Sequence, residues 1–122
     1  MVAQIELDEN TTLFKQLNGG EEGPVTLINV FHVPADVEET FLGLWQEDAR
    51  FMMGHGCLSG QLYKGIEGSS SYVNVAVWES PQHMARAFGD PEFQQTIARY
   101  PESCTASPHL FKKVAVPGVC VA

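Results

Sequence analysis

A chain of 122 residues makes one domain with a single core, and its net charge of −8 disfavours nucleic acid and anionic membranes as partners. Hydrophobic content of 44% is ordinary for a soluble globular protein, and no apolar run approaches the about 18 residues of a membrane span. The acidic residues 1–9 lack the layout of a signal peptide, so a cytoplasmic protein is expected.

Residues 1–23 read as an N-terminal arm ahead of a domain over 24–122. Polar, turn-prone stretches flank Leu13-Phe14-Lys15-Gln16-Leu17, which can form one helical turn, and residues 2–7 can form a short extra strand. The arm is expected to pack on the domain or on a partner subunit. Residues 25–33 alternate: Val25, Leu27, Asn29, Phe31 and Val33 share one face, and Thr26, Ile28, Val30 and His32 the other. Both faces are mostly apolar, so the strand is expected to be covered on both sides. Pro34 ends it. Asp36 is predicted to cap a helix to about Met53, with Val37, Phe41, Leu44, Trp45 and Met52 at helical spacing and Gly54-His55-Gly56 as its stop. Residues 57–64 predict a second strand, the Gly/Ser-rich 65–71 a hairpin loop, and 72–78 a third strand. Ser80 as N-cap and Pro81 at the first position start a second helix. Gly89 interrupts it, Asp90 and Pro91 restart it, and Phe93, Ile97 and Tyr100 give its buried stripe. Residues 101–108 predict a loop and 109–116 the last strand.

This order is the split βαβ plan: an α+β, ferredoxin-like βαββαβ domain with an antiparallel sheet and both helices on one face. The other face, with Ile28 and Val30, is left uncovered, and pairing across a two-fold axis would cover it. A homodimer is therefore expected.

The chemistry concentrates on one strand. Asn74, Ala76 and Trp78 share a face, opposite Val75 and Val77. An amide and an indole on an apolar face both want hydrogen-bond partners, and a ligand can supply them. The competing reading is a core tryptophan whose N–H meets a carbonyl. Asn29 adjoins them if its strand neighbours theirs, and three polar groups converging is stronger than one; satisfied buried amides are the alternative. Phe41 and Trp45 on the first helix, and Met84, Phe88 and Phe93 on the second, can roof such a pocket, although stripes of this kind are ordinarily core. Arg86 can reach a ligand oxygen or form a surface ion pair. His32, His55, His83 and His109 show no metal-ligand spacing, and Cys57, Cys104 and Cys120 read as reduced thiols without the basic neighbour of a nucleophile. No glycine-rich phosphate loop follows a strand, so neither a nucleotide nor a flavin is expected.

Asn74-Val75-Ala76-Val77-Trp78-Glu79-Ser80, a short helix and then Asp90-Pro91-Glu92-Phe93 resembles the antibiotic biosynthesis monooxygenase family. Ile28-Asn29-Val30-Phe31-His32-Val33, a helix ending near Gly54-His55-Gly56-Cys57-Leu58, and Ser107-Pro108-His109-Leu110-Phe111 fit the same pattern, from about Pro24 to Val116. The resemblance implies a dimeric α+β barrel with one site per subunit, between the sheet and its own helices. It also implies a monooxygenase that oxidises a phenolic or polycyclic aromatic substrate with molecular oxygen and no cofactor; the lack of ligand spacing among His and Cys leads us to expect no metal. Asn29, Asn74 and Trp78 match pocket positions of the family and are the catalytic candidates. Trp45, Phe41, Phe88, Arg86 and His109 are the candidate substrate contacts, with His109 or a water as the base. A non-catalytic ligand-binding or stress-associated protein on the same scaffold is a second reading. A haem-binding or haem-degrading protein is a third. The haem-degrading branch carries its iron ligand on the second helix, where alignment on Phe93 places Ile97; this argues against haem.

Overall fold

The computed structural model describes residues 2–122; Met1, the first residue of the arm, lies outside them. The elements are β1 (Ala3–Gln4), α1 (Leu13–Asn18), β2 (Val25–His32), α2 (Glu38–Met53), β3 (Cys57–Lys64), β4 (Ser71–Trp78), α3 (Pro81–Phe88), α4 (Pro91–Ala98) and β5 (Thr105–Phe111). They form a five-stranded sheet in the order β1-β5-β2-β4-β3. All pairs are antiparallel except β1 with β5, and the sheet is open, with β1 and β3 at its edges. The fold is α+β and ferredoxin-like.

Local chemistry accounts for most boundaries. Ser80 accepts the His83 N–H and Asp90 that of Glu92, each ahead of a proline in the first turn, so what reads as one interrupted helix is two. Asp36 does not cap α2: a short 3-10 turn, Ala35–Val37, leads in, and α2 starts at Glu38 without a side-chain cap. The second helical segment ends at Ala98, short of Tyr100.

The last strand differs most from expectation. It spans Thr105–Phe111, so half of the predicted loop is strand and the predicted strand beyond Phe111 is irregular. Pro108 makes 105–108 read as loop, yet it costs no ladder bond. Cys104 and Ala106 turn their carbonyls towards β1, and Pro108, in phase with them, points past its end. Beyond β1 the arm takes over. The Gln16 side chain accepts the Leu110 N–H at 2.9 Å and donates to the Leu110 carbonyl at 3.0 Å. The arm thus packs on the domain, and Leu13 of α1 is buried in its core.

Cross-strand register sets the faces. Leu110, Leu27, Ala76 and Gly60 form one inner row; Pro108, Asn29, Asn74 and Leu62 the next; Ala106, Phe31, Tyr72 and Lys64 a third. Helices α2, α3 and α4 cover this face, and the buried residues divide into two clusters. One gathers Leu27, Met52, Trp78, Met84 and Phe93. The other gathers Phe31, Phe41, Leu44, Tyr72 and Tyr100, with ring centroids 5.0 to 5.9 Å from Phe41.

Candidate functional site

Between the two clusters lies a cavity of about 680 Å³. Its floor is the inner sheet face, with Asn29, Asn74, Ala76 and Trp78. Gly60 adds no side chain to that floor beside Asn74 and Ala76. Its roof comes from Trp45, Asp48, Ala49 and Met52 of α2, with Phe93, Gln94 and Ile97 of α4. Phe88 and Phe93, stacked at 4.7 Å across the α3–α4 junction, close one end. Val2, Ala3 and Gln4 of the arm form a further wall that the sequence did not reveal.

Three polar groups of the floor lack partners. Asn29 Oδ1, Asn74 Oδ1 and Trp78 Nε1 are enclosed without a hydrogen bond. Strand pairing places the two asparagines directly opposite one another, and Trp78 lies four residues along β4 on the same face. Both asparagines line the cavity, and each side-chain amide carries N–H donors beside its enclosed oxygen. A buried polar group without a partner costs about 1–3 kcal/mol; here the two amide oxygens call for a ligand donor and the indole N–H for a ligand acceptor.

Two expected contacts lie elsewhere. Arg86 sits in a second, polar cleft with His55, Glu79, His83 and Asp90. His109 is buried, but its register partner is Ile28, so it lies on the sheet face opposite Asn29, where its Nε2 meets Gln16 Nε2 at 3.1 Å. The register of β5 on β2 decides this. Phe41 is fully buried in the aromatic cluster and does not line the cavity. Trp45 and Phe88 do. Ile97 lines it as well, and no histidine does among the described residues.

The sequence reading missed Asp48 and Tyr100, which both line the cavity. The Tyr100 hydroxyl donates to Asp48 Oδ2 at 2.6 Å. Burial pushes the Asp48 carboxyl up to about 6 against the opposing Tyr100 hydrogen bond; the Glu47 charge adds to the rise and Arg99 opposes it. Burial and the adjacent Asp48 raise the Tyr100 hydroxyl far above the usual tyrosine range. A signal for Asp48 was present: it continues the spacing of Phe41, Leu44, Trp45 and Met52, an acid on an apolar stripe.

In the second cleft Ser80, His83 and Glu79 form a chain. Ser80 Oγ lies 2.7 Å from His83 Nδ1, and His83 Nε2 lies 2.9 Å from Glu79. Ser80 Oγ also accepts the His83 backbone N–H at 3.1 Å, so the chain is a helix cap rather than an activated nucleophile. Among the described residues no group of three His, Cys, Asp or Glu could hold a metal, and no helix is long and apolar enough to cross a membrane.

The family model of antibiotic biosynthesis monooxygenase matches residues 24–99. The chain belongs to this family. A candidate monooxygenase from Shewanella loihica is 32% identical over 80% of this chain and 100% of its own length, with a TM-score of 0.65. SnoaB, a cofactor-independent oxygenase from Streptomyces nogalater, is 25% identical over 79% of this chain and 98% of its own, with a TM-score of 0.65. A Bordetella bronchiseptica structure at 22% identity and TM-score 0.66 shares the fold. No curated protein matches the sequence.

Proposed function

We propose that this member of the antibiotic biosynthesis monooxygenase family is a cofactor-independent oxygenase of a phenolic or polycyclic aromatic substrate. The unpartnered Asn29, Asn74 and Trp78 groups on the floor of an otherwise apolar cavity carry this reading. The volume of about 680 Å³ suits a fused-ring ligand. The likeness to SnoaB supports the oxygenase chemistry.

Such a substrate carries its own reducing power once it is an electron-rich anion. For an anthrone, the ring CH2 and O2 become a C=O and water: one oxygen atom enters the quinone and the other leaves with both hydrogens. The protein binds the flat ring between Trp45, Phe88 and the sheet. It presents the Asn29 and Asn74 side-chain amides to the developing oxyanion, in a cavity whose lining is mostly apolar. Trp78 completes the floor, with its enclosed indole N–H as a further donor.

The exposed sheet face, with Val30 and Tyr63 exposed and Ile28, Val73, Val75 and Val77 half-buried, supports a homodimer. Three free thiols support a cytoplasmic protein. Oxygen uptake with anthrone or a naphthohydroquinone tests the activity. Catalysed uptake with quinone formation is expected; tight binding without uptake would leave a ligand-binding protein.

A further inference from the structure

We propose that Asp48 is the general base of the cavity, taking the proton from the bound aromatic substrate while Tyr100 positions its carboxylate. This rests on the oxygenase reading and supplies the group that reading lacks. Of the two bases expected from sequence, His109 or a water, His109 is on the wrong face of the sheet.

The geometry is specific. Asp48 projects from the middle of α2, on the roof of the cavity, opposite a floor whose amide N–H groups suit an oxyanion. One carboxylate oxygen is held by the Tyr100 hydroxyl, and the other accepts no hydrogen bond among the described residues. Phe41, stacked edge-on against Tyr100, fixes the tyrosine ring from the closed cluster. A base held at one oxygen by Tyr100, with its other oxygen unbonded among the described residues and amide groups on the cavity floor, divides the labour of making an anion. The O–H or C–H bond breaks, the proton passes to Asp48, and the electron pair stays on the ring system facing Asn29 and Asn74. The proton then leaves with the water formed from O2.

The surroundings set the working range. Glu47 and Arg99, paired to each other at the surface, are the charged groups nearest Asp48. The other elements packed around it present neutral amides: Gln4 from β1, Gln94 from α4, and Asn29 and Asn74 from the floor. Burial therefore dominates, and with a carboxyl near 6 the base is ionised at neutral pH while retaining more proton affinity than an exposed aspartate.

The experiment is a pH profile of anthrone-dependent oxygen uptake in the full chain, with anthraquinone, which has no acidic proton, as the binding probe. In the wild type, kcat/KM should rise through about pH 6 and then level. Asp48→Asn should lose about 100-fold or more in kcat and lose this limb, while binding anthraquinone within about threefold of wild type. Tyr100→Phe removes a hydrogen bond that favours the carboxylate, so it should move the limb to higher pH, which a purely structural role would not do. If Asp48→Asn keeps the rate and the limb, Asp48 is not the base, and the oxygenase reading survives. If wild-type protein binds anthraquinone but consumes no oxygen with anthrone, both readings fall. If Asp48→Asn does not fold, the Tyr100→Phe profile decides: a displaced limb supports the assignment and an unmoved limb overturns it.

Discussion

Asn29 and Asn74 face each other across the β2–β4 ladder with both side-chain oxygens enclosed and unpartnered. Two amides at one cross-strand position lie within reach of one ligand atom. Replacing Asn74 with Ala should weaken anthraquinone binding by about 1–3 kcal/mol and leave the melting temperature nearly unchanged. Asn29→Ala should behave alike. Because both address one oxygen, the double variant should lose less than the sum of the single changes. Isothermal titration of the four proteins reads this. Full affinity with lost stability would make the pair part of the core.

Trp78 is almost completely buried, with an unpaired indole N–H. Trp78→Phe keeps most of the volume and removes the orphan donor, so the small cavity cost is offset by relief of an unmet polar group. Thermal melts should move little, while kcat/KM for oxygen uptake should fall by about tenfold or more. A large loss of stability with unchanged kinetics would contradict the role.

Asp48 gives the fold a pH dependence. Its carboxyl ionises at 3.8 ordinarily and at about 6 in the fold. Below about pH 4 both states are protonated and the favourable neutral form is kept. As pH rises to about 6 the unfolded chain releases the proton first, so native stability falls, and it levels above that. Asp48→Asn, which still accepts the Tyr100 hydrogen bond, should therefore be more stable than wild type by about 1–3 kcal/mol at pH 8 and by almost nothing at pH 4. Urea melts at both pH values check this.

Removal of residues 1–23, which precede the family match, should uncover the Leu110 backbone groups held by Gln16 and the core site of Leu13. It also takes away the cavity wall of Val2, Ala3 and Gln4. The truncated chain should melt lower and bind anthraquinone at least about tenfold more weakly. Gln16→Ala should lower stability by about 1–3 kcal/mol without weakening binding, which separates the two roles of the arm.

Val30, 42% exposed at the centre of the uncovered face, should lie in a dimer interface. Val30→Lys should shift the protein from dimer to monomer in light scattering at micromolar concentration. A wild-type monomer of 13.4 kDa would contradict the dimer.

Periodicity is enough to sort the inner from the outer residues of β2 and β4, because a period of two leaves no freedom once one face is apolar. Ser80-Pro81 and Asp90-Pro91 made the helix starts readable, because capping is local chemistry between near neighbours. Asn74 and Trp78 could be placed on one face by the same period of two, whereas Asn29 joins them through the β2–β4 pairing. The start of β5 could not be read: Pro108 forbids a strand only where its missing N–H is needed, and that depends on where β1 ends. The face of His109 follows from the register of β5 on β2, which the sequence left open. Asp48 was hidden differently. An acid on an apolar helix stripe becomes a cavity group only when burial raises its proton affinity and Tyr100, fifty-two positions away in sequence, comes into contact. Local spacing therefore decided which side chains share a face, and the long-range packing of α2, the arm and β5 decided which of them meet around one cavity.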